Sequence, residues 1–395
     1  MKLKLFLVFF IALNANAQNL SEILDSLKKS KKTLSITQRT YADIAQNELF
    51  TTQLAPELGL SISHADETAD EGIEYAVGIS QNLAHPFASS SKNNATDSLT
   101  KAIKQKSKHE LHVLTLEVAS RYHSACTSKE MSDGAEELFK EQSSRFNQLQ
   151  RAYDLGEISK KSLLFNKLDL AKLQQKVVSH KRSYLSELSY LQEVIDNINI
   201  DKLACNDLVK ISKEIKLRNI DEHGEIKEIT YQQNSVKSFY DVYNSSFKSL
   251  GYEVLYEKEL DKTRYTFGVS IPFGGVTSQT QKQQAQYLHK NASLVAAKDA
   301  LTSEIINASN SLQLRVGTLY DEHTLLNEDI LPMSLELKGL AKSALSEGEG
   351  TIMEYLDATR SYSENYLEML QIKKNYYYEL FELYKKADLD LGEEL

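Results

Sequence analysis

GIEYAVGIS, residues 72–80, places Ile73, Tyr75, Val77 and Ile79 on one side and Glu74, Ala76, Gly78 and Ser80 on the other. A period of two is that of a β-strand, whose successive side chains point to opposite faces. Just upstream, Leu58, Leu60 and Ile62 interleave with Gly59, Ser61 and Ser63, and the polar turn ADETADEG at 65–72 joins the two runs. The design recurs at Tyr252, Val254 and Tyr256. After a polar turn near Glu259 to Lys262, Tyr265, Phe267, Val269 and Ile271 alternate with Arg264, Thr266, Gly268 and Ser270. These patterns predict two hairpins, about 56–83 and about 251–273. One strand face is apolar and aromatic, the other small or polar, as in strands with lipid on one side and water on the other. An ordinary half-buried hairpin alternates in the same way. Four strands cannot close a membrane barrel, which needs about eight or more, so a barrel would require several copies of the chain.

The rest of the chain reads as helix. Prolines occur only at 56, 86, 272 and 332. A proline-free stretch from about 87 to 150 and another from about 277 to 345, interrupted by Pro332, would each extend on the order of 100 Å at 1.5 Å per residue. Leu163, Leu170, Val177, Tyr184 and Leu191 recur every seven residues, and an offset of 192 lands on Tyr355, Tyr362, Met369, Tyr376 and Leu383. A neighbouring seam, Leu164, Ala171, Val178 and Leu185, maps onto Leu356, Ser363, Leu370 and Tyr377. Heptad spacing predicts long antiparallel coiled-coil helices, although a simple bundle core would share it. The returning helices, about 157–200 and 352–390, are shorter than their partners. Helices at about 229–249 and 19–50 have the lengths to complete each half.

The same offset aligns AYDLGEIS at 152–159 with ALSEGEGT at 344–351. Both read as tight turns between helices, with Gly156 and Gly348 in left-handed conformation and Ser159 or Thr351 capping the next helix.

Lys2 and Lys4, the apolar run Leu5–Leu13 and the small-residue site Ala15–Ala17 have the layout of a secretory signal peptide, with cleavage expected before Gln18. Its removal takes the formal charge from −9 to −11. An acidic chain of this kind is a poor partner for nucleic acid. No stretch has the roughly 18 consecutive apolar residues of a membrane-spanning helix. Cys126 and Cys205 lack metal-ligand spacing. Counted along continuous helices they lie roughly 35 Å apart, too far for a bridge, and no disulfide is expected. His109, Glu110 and His112 form H-E-x-H, not the H-E-x-x-H of zinc proteases. With His123 they could at most make a weak metal site, and a solvated helix face is the plainer reading. No enzyme, catalytic residue, metal or cofactor is expected.

The signal peptide, the internal duplication and the two hairpins, each followed by a long helix, resemble the TolC-like outer membrane efflux family over essentially the whole mature chain. The motifs that carry the resemblance are Tyr153-Asp154-Leu155-Gly156-Glu157, Gly348 to Ala358, Gly78-Ile79-Ser80 and Gly268 to Gly275. The resemblance implies a mainly α fold with a small β part. Long antiparallel coiled-coil helices would accompany four transmembrane strands per chain, and three chains would make a twelve-stranded barrel continued by an α-helical periplasmic tunnel. It implies a division into signal peptide 1–17, first repeat 18–200, equatorial segment 201–228 and second repeat 229–395. Implied partners are two further copies of the chain, outer membrane lipid, a periplasmic adaptor and an inner-membrane pump or type I secretion transporter. Adaptor docking would fall on the tip loops near 153–159 and 345–351, that is on Asp154, Leu155, Gly156 and Glu157 and on Glu347, Gly348, Glu349 and Gly350. Glu354 and Asp357 would constrict the pore. Three departures stand out: Gly350 occupies the place of a gate arginine, Gln18 the place of a lipid-bearing cysteine, and tryptophan is absent. Tyr75, Tyr252, Tyr256 and Tyr265 would then serve as the interfacial aromatics. The contrasting reading is a soluble periplasmic coiled-coil scaffold or adaptor. The cargo stays open among drugs, metal ions and peptides.

Overall fold

The computed structural model describes residues 17–52, 55–66, 71–196, 202–244, 249–271 and 278–391. Residues 1–16 of the expected signal peptide, and the motif residues Pro272 to Gly275, lie outside them. Among the described residues the order is α1 (Leu20–Leu27), α2 (Lys31–Leu49), β1 (Glu57–Asp66), β2 (Glu71–Ala84), α3 (Pro86–Asp154), α4 (Lys160–Ile195), α5 (Gly224–Asn244), β3 (Ser249–Lys258), β4 (Thr263–Ser270), α6 (Ser278–Leu325), α7 (Leu331–Glu347) and α8 (Ile352–Ala387). The elements fall into two compact units that cut across the sequence repeats. One comprises residues 36–110 and 219–305, the other the remainder.

In the first unit the hairpins join into one antiparallel sheet of order β1-β2-β3-β4. Register fixes its faces. Leu60 lies opposite Val77 and Ile62 opposite Tyr75; Val77 meets Tyr256 and Ile79 meets Val254; Val254 meets Phe267 and Tyr256 meets Tyr265. The alternating apolar residues of all four strands therefore share one face, with Leu255 of β3 on the other beside Gly78 and Thr266. That face is bare: Ile62 and Tyr265 are each 79% exposed and Phe267 72%. Tyr75, Tyr256 and Tyr265 form a row across β2, β3 and β4, with ring centroids 6.2 and 5.3 Å apart. Beside the sheet, helices pack through small residues and side-chain hydrogen bonds. Ala95 and Ala102 are buried, Asn47 Nδ2 donates to Thr96 O at 2.8 Å, and Ser235 Oγ donates to Ala95 O at 2.8 Å.

In the second unit α8 supplies the central seam. Tyr355, Leu356, Met369, Leu370, Tyr376, Tyr377 and Leu383 are all buried, and Met131 of α3 packs with Met369 and Leu370. The duplicated seam in α4 behaves differently. Leu164, Val178 and Leu185 are 53–55% exposed, whereas their counterparts Leu356, Leu370 and Tyr377 are at 8% or less. Sequence periodicity alone does not distinguish the two. On α6 and α7, Leu314, Leu325, Met333, Leu337 and Leu340 are likewise exposed.

Pro332 does not break its helix. The residues just before it, Leu326–Ile330, form a π-helical turn in which Leu331 N–H donates to Leu326 O. A proline has no N–H for the carbonyl four residues back, and its ring crowds that carbonyl. The wider turn accommodates both effects without ending the rod.

The expectation of no disulfide is wrong: Cys126 and Cys205 are bridged, with Cα atoms 5.4 Å apart. The axial count assumed that the chain keeps climbing beyond α4. Instead α4 stops at Ile195, Asp196 takes φ 62°, and by Lys202 the chain runs beside α3. Cys205 N–H donates to Tyr122 Oη at 3.1 Å, Val209 N–H to His123 Nε2 at 2.9 Å, and Tyr377 Oη to Val209 O at 2.9 Å.

His123 is therefore a core residue. Its Nδ1–H donates to Ala119 O at 2.8 Å, its Nε2 accepts from Val209, and Tyr377 and Phe381 pack on the ring. Burial lowers its pKa to about 4 from the ordinary 6.5. A depressed folded-state pKa gives stability that is present above 6.5 and lost as pH falls through 4. The expected loss across that window is roughly 3 kcal/mol. Thermal midpoints measured against pH should show it in the wild type and not in His123→Gln. His109 packs instead against His223, and His112 faces Asp388 and Asp390 at 3.7 and 3.8 Å. Among the described residues no cluster of His, Cys, Asp and Glu is arranged to hold a metal, and no helix is long and apolar enough to cross a membrane.

Candidate functional site

The two turn loops share a pair of closing backbone bonds, to which the second adds Gly350 N–H donating to Ala344 O at 3.0 Å. Glu157 N–H donates to Ala152 O at 2.8 Å and Gly156 N–H to Tyr153 O at 2.9 Å; 192 residues later Glu349 N–H donates to Ala344 O at 2.9 Å and Gly348 N–H to Leu345 O at 3.4 Å. This pair of bonds closes a helix C-terminus through a left-handed residue. Gly156 and Gly348 have φ of 79° and 76°, a conformation that costs other residues roughly 1–2 kcal/mol. Gly350 serves close approach instead: a Cβ there would sit 2.9 Å from Ala344 Cβ. Ser159 Oγ accepts from Ser162 N–H at 3.1 Å, starting α4. Thr351 and Glu354 form a reciprocal cap for α8. Thr351 N–H donates to Glu354 Oε2 at 2.8 Å, and Glu354 N–H to Thr351 Oγ1 at 3.2 Å.

Asp154, Leu155, Gly156 and Glu157 in the first loop, and Glu347, Gly348 and Glu349 in the second, are exposed, while Gly350 is half-buried. Leu155 is 75% exposed between two acids, an apolar knob with no counterpart in the second loop.

The structure does not bring Glu354 and Asp357 together. Glu354 is engaged in the helix cap, and Asp357, one turn on, accepts from Arg360 at 3.0 Å. Arg360 in turn reaches Asp169 of α4 through Nε at 2.8 Å and Nη2 at 2.6 Å. One guanidinium thus engages two carboxylates, Asp357 on its own helix and Asp169 on α4, with charge-assisted hydrogen bonds. Behind it Lys338 Nζ donates to Glu141 at 2.7 Å and Tyr355 Oη to the same carboxylate at 3.3 Å, tying α3, α7 and α8.

Sequence reasoning named neither Arg360 nor Asp169. The signal was present in the duplication, where Arg360 stands opposite Leu168. A charge replacing an apolar residue between matching helices marks a position whose partner differs between the halves.

No protein-family model matches the chain, and no curated protein matches it in sequence. Solved structures do match in shape. The outer-membrane channel OprN superposes with a TM-score of 0.78 at 12% identity, covering 94% of this chain and 90% of that one. The membrane-channel protein CusC gives 0.77 at 13% identity, with 93% and 91% covered. The open-state MtrE outer membrane channel of Neisseria gonorrhoeae gives 0.76 at 14%, with 93% and 88% covered.

Proposed function

We propose that this chain, whose fold is that of the TolC-like outer-membrane channels, is one of three identical subunits forming an exit duct in the outer membrane for an efflux or type I secretion assembly. The observation that carries this reading is the four-stranded sheet: one continuous apolar face turned outward, and two open edges, β1 and β4. An exposed edge is an aggregation hazard unless something pairs with it. Three copies joined β4 to β1 close all the edges into twelve strands with lipid outside and Ser61, Glu74, Thr266 and Ser270 inside. The bare seam of α4 and the bare faces of α6 and α7 supply the apolar surface that neighbouring copies need to continue the wall as helices. Each buried leucine of such a seam contributes about 1.5–3 kcal/mol. A soluble scaffold leaves both the sheet face and the edges unexplained.

The paired loops, with Leu155 foremost, are the docking surface for a periplasmic adaptor serving an inner-membrane pump. The pair of closing bonds that both turns share lets three copies present six similar turns. Glu354 and Asp357 are the pore-constricting carboxylates. Arg360, bonded to Asp357 and Asp169, holds α8 against α4 without the arginine that Gly350 displaces. In a trimer the acids form rings that favour cations. At about 4 Å each carboxylate is worth roughly 1 kcal/mol to a passing monovalent ion in water.

The test is extraction and conductance. The protein should leave membranes only with detergent, run as a heat-dissociable trimer and open channels in planar bilayers. Replacing both Glu354 and Asp357 with alanine should then lower the cation-to-anion permeability ratio roughly fivefold. Unchanged selectivity would take these acids out of the constriction; a water-soluble monomer would remove the channel reading altogether.

A further inference from the structure

We propose that the mature chain begins with pyroglutamate formed from Gln18, and that this ring seals the N-terminal helix into its unit. The proposal rests on signal cleavage between Ala17 and Gln18. Gln18 is not a loose end. Its backbone N–H donates to Lys202 O at 3.1 Å, and its carbonyl accepts from Ala204 N–H at 2.9 Å, bracketing Leu203 in a parallel bridge. Asn19 then caps α1 in a reciprocal box with Glu22. Leu20, Ile23 and Leu27 are at 3% exposure or less. Ala204 adjoins Cys205, which is bridged to α3 at Cys126. The first residue of the processed chain is therefore held in a closed knot.

Cleavage changes the chemistry of that residue. A free α-amine titrates near 8, so at neutral pH it would bring a positive charge and three N–H donors to a nitrogen bonded here to a single carbonyl, that of Lys202. Glu22, the carboxylate of the adjoining cap, is held by Asn19 N–H at 3.3 Å; a charged amine beside Lys202 O has more donors than acceptors, where a neutral lactam N–H is matched one to one. Gln18 carries its own remedy. The α-amino nitrogen attacks Cδ of the side-chain amide; the N–Cδ bond forms, the bond from Cδ to Nε2 breaks, and ammonia leaves with the proton that the amine gives up. No oxidant, reductant or second substrate is consumed. The lactam nitrogen keeps one N–H for one acceptor and carries no charge. A second observation is compatible with this step: Gln18 Oε1 makes no hydrogen bond, so no bond at that oxygen holds the side-chain carbonyl back from attack.

The experiment is intact-mass and N-terminal peptide analysis of the full chain, expressed with its leader and kept acidic from harvest. The expected N-terminal peptide starts at Gln18, is lighter than its unmodified form by one ammonia, and resists Edman degradation until treated with pyroglutamyl peptidase. A peptide starting at Gln18 with a free amine and full mass overturns the proposal while leaving the cleavage reading intact. A different first residue overturns the cleavage reading and the proposal with it. The sealing role is read separately from Gln18→Ala, which cannot cyclise. Its amides from Ile23 to Leu27 should lose protection against hydrogen exchange by about tenfold at neutral pH. They should regain it at about pH 9.5, where the amine is neutral. Protection equal to that of the wild type at both pH values would remove that role.

Discussion

Phe267→Arg is expected to abolish recovery of the assembled protein from membranes, whereas Thr266→Arg on the same strand should leave it intact. The two positions are neighbours with opposite faces. Phe267 lies opposite Val254, and Thr266 opposite Leu255; Phe267 is 72% exposed on the continuous apolar face. If that face meets lipid, each arginine near the middle of the bilayer costs about 2–4 kcal/mol, and a trimer carries three, for a total of roughly 6–12 kcal/mol. This is comparable with the whole stability of a typical folded domain, about 5–15 kcal/mol. Thr266 looks into the interior of the proposed barrel, where arginine stays in water. Heat-dissociable trimer on a gel, quantified from membrane fractions, reads the difference. Equal recovery of both variants would mean that the apolar face is not the lipid face. Recovery of a soluble Phe267→Arg protein would favour the scaffold reading.

That asymmetry between neighbouring residues is legible in the sequence, because a strand's period of two has few competing explanations once it runs through four segments. The turn loops were legible for a similar reason: glycine before an acidic residue and a hydroxyl residue, written twice at one spacing, leaves little room for another local structure. The helical seams were only half legible. Leu164, Val178 and Leu185 carry the same pattern as Leu356, Leu370 and Tyr377, yet one set is bare and the other buried. Periodicity reports that a face must be covered, not whether the cover belongs to the same chain. Arg360 escaped notice because ion pairing depends on which helices adjoin, and its partner Asp169 lies 191 residues away. The disulfide is illegible for a sharper reason. One non-glycine residue with positive φ, Asp196, ends α4, and the chain's subsequent course beside α3 invalidates any distance counted along a helix axis.

Removing that disulfide should have the largest effect on stability of any change away from the sheet. The bridge closes a loop of sequence separation 79, and the chain-entropy model assigns roughly 4–5 kcal/mol to a loop of that length. Cys126 is 2% exposed, so serine there also places a hydroxyl in a nearly dry site. For a unit of this size each kcal/mol shifts the midpoint by about 2–4 °C, so Cys126→Ser with Cys205→Ser should unfold roughly 10–20 °C lower. Local fastening survives: Tyr376 Oη still donates to Ser212 O at 2.7 Å, and Val209 keeps its bonds to His123 and Tyr377. The segment from residue 202 to 218 should therefore loosen in hydrogen exchange without detaching. Because a bridge of this kind persists where thiols are oxidised, wild-type protein treated with a reductant should reproduce the double variant's midpoint. A double variant that melts with the wild type would show that those side-chain bonds alone hold the segment. The segment from residue 202 to 218 would then owe its stability to Tyr122, His123, Tyr376 and Tyr377 rather than to the covalent link.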